Sequence, residues 1–339
     1  MSTSRSDTTI PTEQLTPDRY RRAAELLAAG ELVVIPTETV YGLAASALDR
    51  GAVGAIFDAK ERPRDNPLIV HLGDADAARD VVPRQMGLTR AIISAFAPGP
   101  ITVILPAPPW AVPEVRGGLP TIALRVPSLE LARHVIIAAG VPLAAPSANR
   151  SGRPSPTTAA MAVEEMGGRV AAVLDGGPCT VGIESTIVDA TNDREAVILR
   201  PGRITAREIS HRLGCPARHR ERGDSPSPGT HYRHYTPRVP VVLVQSGDME
   251  EAVAEAEGVF GCRPGTDGPG GIALFTVEQF RTLEGYAEGL YQAFWNAERQ
   301  ERLLILAEMP PGEESEGLAD RLLRASVGTF EPGMLTDLR

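Results

Sequence analysis

Short apolar runs alternate with amphipathic stretches along most of this chain. Leu32 to Ile35, Leu68 to Leu72, Ile101 to Leu105, Thr121 to Val126, Val141 to Ala145, Val170 to Leu174, Glu184 to Asp189 and Ala196 to Leu199 read as buried strands. Between them, Asp18 to Ala29 spaces Ala and Leu as a helix does and stops at Gly30. Asp49 caps a predicted helix that runs to Lys60, another lies around Leu88 to Ala97, and Ser128 opens a third that ends at Ala139. Ser155 and Thr157 precede a further helix whose free amides suit a phosphate. From Val239 the alternation resumes as strands Val239 to Val244, Ile272 to Phe275 and Leu303 to Leu306, with helices Met249 to Glu257, Gly285 to Arg299 and Leu318 to Ala325. The chain is therefore α/β, with a large sheet first and a smaller parallel α/β unit after it.

Polar groups stand where the apolar runs end, which in open α/β sheets is where ligands bind. Thr37 and Thr39 follow the first strand, His71 closes the second, and Ser147 and Asn149 follow the run to Ala145. Taken by themselves, the Thr37 and Thr39 hydroxyls read first as those of an ordinary capping turn. Arg125 lies inside the apolar run Thr121 to Val126, and a buried guanidinium needs a partner. An internal Asp or Glu is one candidate, a substrate carboxylate the other.

Composition sharpens one stretch. Of 34 basic residues, 33 are arginine and one is Lys60. Arg62 and Arg64 follow it, and Pro63 and Pro67 stiffen the loop, which reads as a rigid cationic receptor for a polyanion such as a nucleoside triphosphate. Lys60 itself reads as a surface residue of that loop, whose replacement leaves the fold untouched. Net charge is −9, but Val239 onward holds 7 arginines against 18 acidic residues, leaving 27 basic and 25 acidic groups before it. No tract is basic enough to argue nucleic-acid binding from charge. Cys179, Cys215 and Cys262 have neither disulfide nor zinc spacing, which fits a cytoplasmic protein. No apolar run reaches membrane-spanning length.

Residues 1–17 read as a flexible tail, 18–215 as the first domain, 216–238 as a linker and 239–339 as the second domain. The linker contains Ser225-Pro226-Ser227-Pro228-Gly229, yet ends in Thr230-His231-Tyr232-Arg233-His234-Tyr235-Thr236-Pro237, a composition suited to a flap that closes on a ligand.

Five stretches in order, Pro36-Thr37-Glu38-Thr39-Val40-Tyr41-Gly42-Leu43, Lys60-x-Arg62, Asn66-Pro67-Leu68-Ile69-Val70-His71, Pro146-Ser147-Ala148-Asn149 and Glu184-Ser185-Thr186-Ile187-Val188-Asp189, resemble the YrdC-type threonylcarbamoyl-AMP synthases in their long two-domain form. The segment 227–237 resembles the interdomain linker of that form. The resemblance implies a YrdC-like twisted mixed sheet with helices, followed by a Rossmann-like domain. It implies a nucleotidyltransferase that makes threonylcarbamoyl-AMP and pyrophosphate from L-threonine, bicarbonate and ATP, with Mg2+ on the phosphates. Downstream threonylcarbamoyl-transferring proteins, and weakly a tRNA, are the implied partners. By the same likeness Thr39, His71, Arg125 and Ser185 hold threonine. Arg62, Asn66, Thr121, Ser147, Asn149, Ser155 and Arg200 hold ATP. Lys60 lies near the phosphates and is catalytic with Arg62, while Arg233, His234 and Tyr235 close over the nucleotide. No metal ligands are expected from the protein. A double-stranded RNA-binding module of the same fold is the alternative.

Overall fold

The computed structural model describes residues 11–221, 235–265 and 270–338. Eleven strands form one mixed sheet in the order Glu13–Leu15, Ala172–Leu174, Val33–Ile35, Gly42–Ser46, Leu143–Ala144, Ile69–His71, Thr121–Arg125, Ile101–Pro106, Thr186–Asp189, Ala196–Arg200 and Ala217–His219. Ile272–Phe275, Leu304–Glu308, Val241–Val244 and Gly328–Thr329 make a second sheet in which every pair is parallel.

Alternation along the strands decides what each face of the large sheet meets. Val70, Val103, Leu124, Val188 and Ile198 turn to one side, where they share a core with Val53, Ile92 and Ile209 of the helices Arg50–Lys60, Gly87–Phe96 and Ala206–Leu213. Val33, Ile35, Ala172 and Leu174 pack instead on the helices Tyr20–Ala28 and Glu130–Ala139. Further along, Ile69, Ile104, Ala123, Ile187, Val197 and Leu199 form a thin apolar layer of their own. His71, Thr102 and Arg125 alternate onto that same side, so the functional side chains of the sheet stand next to a small greasy floor.

The small sheet is likewise covered on both faces. Met249–Phe260 lies on one side, and Leu283–Arg299 with Glu316–Ala325 on the other. The core beneath that second pair also takes in Val40, Met161 and Tyr235, so the two sheets share apolar packing. Two glycines let the backbones approach there. A Cβ on Gly317 would lie 2.6 Å from the carbonyl oxygen of Gly202, and one on Gly202 would lie 2.5 Å from Thr186 N.

Several sequence expectations need correction. Glu13–Leu15, assigned to the tail, pairs with Ala172–Leu174, because Leu15 is buried against Leu27 and Leu174 while its neighbours are polar. Ala217–His219, assigned to the linker, pairs with Ala196–Arg200, and its polar side chains hid the strand. Ser128 does not cap its helix, which begins at Glu130 behind Leu129. Residues 222–234, including Arg233 and His234, lie outside the described residues.

Candidate active site

Register builds the centre of the site. His71 and Arg125 face each other across parallel strands, and Arg125 faces Thr102 across an antiparallel pair, which sets three polar side chains in one row. Arg125 Nη1 donates to Thr39 Oγ1 at 2.8 Å, and Nη2 lies 2.8 Å from Glu38 Oε1. That second contact is an ion pair outside hydrogen-bond angles, and it leaves Arg125 Nε without a hydrogen-bond partner. Arg125 thus has an internal counter-charge and still has a donor for another carboxylate. Burial would raise the Glu38 pKa, but Arg125 outweighs it and holds the carboxyl below its ordinary value. Thr37 fixes the loop above: its hydroxyl donates to Val40 O at 2.6 Å and accepts from the amides of Thr39 and Val40.

Burial, and then the Arg125 charge, push the His71 imidazole down to about 3. Its Nδ1 lies 3.2 Å from Ile69 O, and a carbonyl only accepts, so Nδ1 carries the proton and Nε2 is an acceptor.

Lys60 ends the helix Arg50–Lys60, capped by Asp49 as the sequence indicates. It is not a surface residue: it is 1% exposed, and its Nζ donates to the main-chain carbonyls of Ser147 and Asn149. Burial and then Arg62 push its pKa well below the ordinary value. Arg62 donates to the carbonyls of Asn66 and Pro67 at 3.3 and 3.0 Å, which folds the proline-rich loop back on itself. Asn149 spends its Nδ2 on the carbonyls of Arg150 and Arg153, leaving Oδ1 a buried acceptor without a partner. Arg64 stands apart, exposed and paired with Asp58 at 2.8 Å.

The far wall is the segment 184–185. Ser185 Oγ bonds Thr102 Oγ1 at 2.8 Å and accepts from Arg200, whose Nη2 also reaches the Ser185 carbonyl at 2.9 Å. Glu184 accepts from Ser155 Oγ at 2.5 Å, from Tyr291 OH at 3.1 Å and from Arg321 Nε at 2.7 Å. Tyr235 is buried between the Arg321 guanidinium and the Tyr291 ring, with φ of 68°, a left-handed conformation that costs about 1–3 kcal/mol outside glycine.

These groups line a partly open cavity of about 70 Å³. Thr39, Lys60, Arg62, His71 and Arg125 line it, as do Ser147, Asn149, Ser185, Arg200 and Tyr235. Asn66 and Ser155 are buried behind the lining rather than in it. Thr121 lines a second cavity of about 160 Å³ with Ile104, Ala123 and Leu199, and Pro67 borders both. Thr37, which stands with Thr39 after the first strand, also lines the first cavity, whereas sequence reasoning assigned no site role to Arg153 or Glu184. Glu184 carried a signal, an acid at the mouth of an apolar strand. Arg153 carried none, since its partner Glu298 is 145 residues away.

A family model described as "Telomere recombination" matches residues 25–202, and one described as "Threonylcarbamoyl-AMP synthase, C-terminal domain" matches residues 204–327. A threonylcarbamoyl-AMP synthase of Bacillus subtilis is 37% identical, covering 97% of this chain and 99% of the relative. One of Pyrococcus abyssi is also 37% identical, over 93% and 96%. The crystal structure of P. abyssi Sua5 complexed with L-threonine has a TM-score of 0.83 at 32% identity, over 94% of this chain and 99% of that one. The chain belongs to the threonylcarbamoyl-AMP synthase family.

Proposed function

We propose that this protein is an L-threonylcarbamoyladenylate synthase, a nucleotidyltransferase that joins L-threonine, bicarbonate and ATP into threonylcarbamoyl-AMP and pyrophosphate, the first step of threonylcarbamoyladenosine modification of tRNA. The observation that carries this reading is that residues of all five motifs converge on one cleft. The P. abyssi protein is solved with L-threonine, and the polar row here offers groups of the kind that ligand needs. Arg125 would take its carboxylate with the donor it has to spare, His71 Nε2 would accept from its ammonium, and the hydroxyls of Thr39 and Ser185 would face its side chain.

Bicarbonate gives carbon dioxide and hydroxide; the deprotonated amine captures the carbon dioxide as a carbamate, and the proton it loses joins the hydroxide as water. A carbamate oxygen then attacks the α-phosphorus while the bond to the pyrophosphate oxygen breaks. The chain's contribution is placement and charge: Lys60 and Arg62 would meet the phosphates, Ser147 and Asn149 the nucleoside, and the apolar cavity beside Thr121 the base. Magnesium, expected with the triphosphate, would offset its negative charge. Downstream transferases would take the adenylate. The RNA-binding alternative is not favoured, because the relatives that match nearly the whole chain are threonylcarbamoyl-AMP synthases and the cations at this site, Lys60, Arg125 and Arg200, are buried away from an RNA surface.

The test is pyrophosphate release with ATP, bicarbonate and each amino acid in turn. Release is expected to require both L-threonine and bicarbonate. Equal release with L-serine or L-valine removes the assignment, since a buried hydroxyl left unpaired costs roughly 1–3 kcal/mol and valine is expected to lose accordingly.

A further inference from the structure

Glu184 lines the cavity from the large-sheet side, yet its strongest partner comes from the other sheet's helix, Glu316–Ala325. Arg321 is fully buried, and every polar nitrogen of its fork is used. Nε donates to Glu184 Oε2 at 2.7 Å, Nη2 to Glu184 O at 3.3 Å, and Nη1 to Pro201 O at 2.9 Å and Asp320 Oδ2 at 2.8 Å. It therefore grips both the side chain and the backbone of Glu184, and the backbone just beyond Arg200. Its guanidinium also lies 5.1 Å from the ring centre of Tyr235, another lining residue. The backbone contact of Gly317 with Gly202, one helical turn before Arg321, sets the distance from which this grip is made.

Stability alone does not call for such a residue. A buried ion pair replaced by apolar groups of similar size is often as stable or more so. What the fork supplies instead is direction: three fixed bearings on a segment that presents Glu184, Ser185 and Arg200 to the cavity.

We propose that Arg321 is a positioning residue of the synthase site, acting through Glu184, so that the C-terminal domain is a working part of that site rather than a cover. This rests on the synthase reading. The test is a double-mutant cycle on the full chain with Arg321→Met, Glu184→Gln and the double substitution. Arg321→Met is expected to lower kcat/KM for L-threonine roughly tenfold, and the double substitution to regain melting temperature without regaining kcat/KM. In the Glu184→Gln background, Arg321→Met is expected to change kcat/KM by less than about twofold. Parental kcat/KM in Arg321→Met or in the double variant, or losses that simply multiply, overturns the proposal. Should Arg321→Met alone not fold, the comparison of the double variant with Glu184→Gln decides, because the double variant removes both charges and Arg321 in Glu184→Gln keeps Asp320 at 2.8 Å as its counter-charge. A parent that releases no pyrophosphate overturns the synthase reading instead, and calorimetric titration of L-threonine into the same proteins then reads the cycle.

Discussion

Lys60 shows how much a side chain's surroundings change what its replacement does. As a loop cation it could be exchanged for arginine with little effect on folding. Buried and bonded to the Ser147 and Asn149 carbonyls, it cannot admit the broader guanidinium without moving the loop that carries both. Lys60→Arg is therefore expected to lower turnover nearly as far as Lys60→Ala and to cost about 1–3 kcal/mol by overpacking. Full turnover with an unchanged melting temperature would contradict both halves. Arg125→Ala removes the counter-charge of buried Glu38, so a stability loss of about 3–5 kcal/mol is expected beside weakened threonine binding. Weakened ATP binding with intact threonine affinity would show that Arg125 serves the other ligand. His71 adds a pH dependence. Its pKa falls from 6.5 unfolded to about 3 folded, so below 6.5 the unfolded chain binds the proton and the native chain does not. Stability held above 6.5 is lost on acidification at about 1.4 kcal/mol per pH unit. Glu38 and Glu184 add losses in the same direction below their ordinary 4.5, so the clean window lies above that value. Urea titrations between pH 6.5 and 5 are expected to show this slope in the parent and not in His71→Asn.

Among the elements, Glu316–Ala325 depends most on a missing side chain. Gly317→Ala would drive a Cβ against three backbone atoms of Gly202, at 2.6 to 2.8 Å, none of which a rotamer change relieves. The helix must back away, and Arg321 leaves Glu184 with it. A cost of about 1–3 kcal/mol and reduced turnover are expected. Gly258→Ala in the helix Met249–Phe260 is the matched control, with open space at its Cβ and an expected gain of up to about 1 kcal/mol. Equal effects of the two substitutions would mean that the close approach carries no energy. The contrast also marks what the sequence could show. Most of the longer strands and helices were legible because apolar periodicity reports burial directly, and of the cavity-lining residues His71 stood out at the end of an apolar run, Arg125 inside one, Lys60 as the single lysine and Ser185 through the family likeness. Glu13–Leu15 and Ala217–His219 were not legible, since three-residue edge strands carry too little pattern. Ser155 looked like a ligand hydroxyl and instead bonds Glu184, a partner 29 residues away that no local rule supplies.

For the whole molecule the question is whether two sheets make two folding units. Interfaces between domains of one chain are often polar and loosely coupled. This one is built otherwise. It holds a shared apolar cluster that includes Val40, Tyr235 and Tyr291, the buried Glu184–Arg321 pair, and an Arg153–Glu298 fork with bonds of 2.7 and 2.6 Å. Separating the units would break the Glu184–Arg321 pair and the Arg153–Glu298 fork and expose the shared apolar cluster to water. Either unit alone is therefore less stable than it is within the pair, and opening of one exposes a face of the other. Calorimetry of the full chain is expected to give a single endotherm whose van't Hoff and calorimetric enthalpies agree, despite the two sheets. Gly317→Ala, which loosens the contact without adding or removing charge, is expected to broaden or split that endotherm. Two resolved transitions in the parent would show that the interface is too weak to carry the coupling that Arg321 requires.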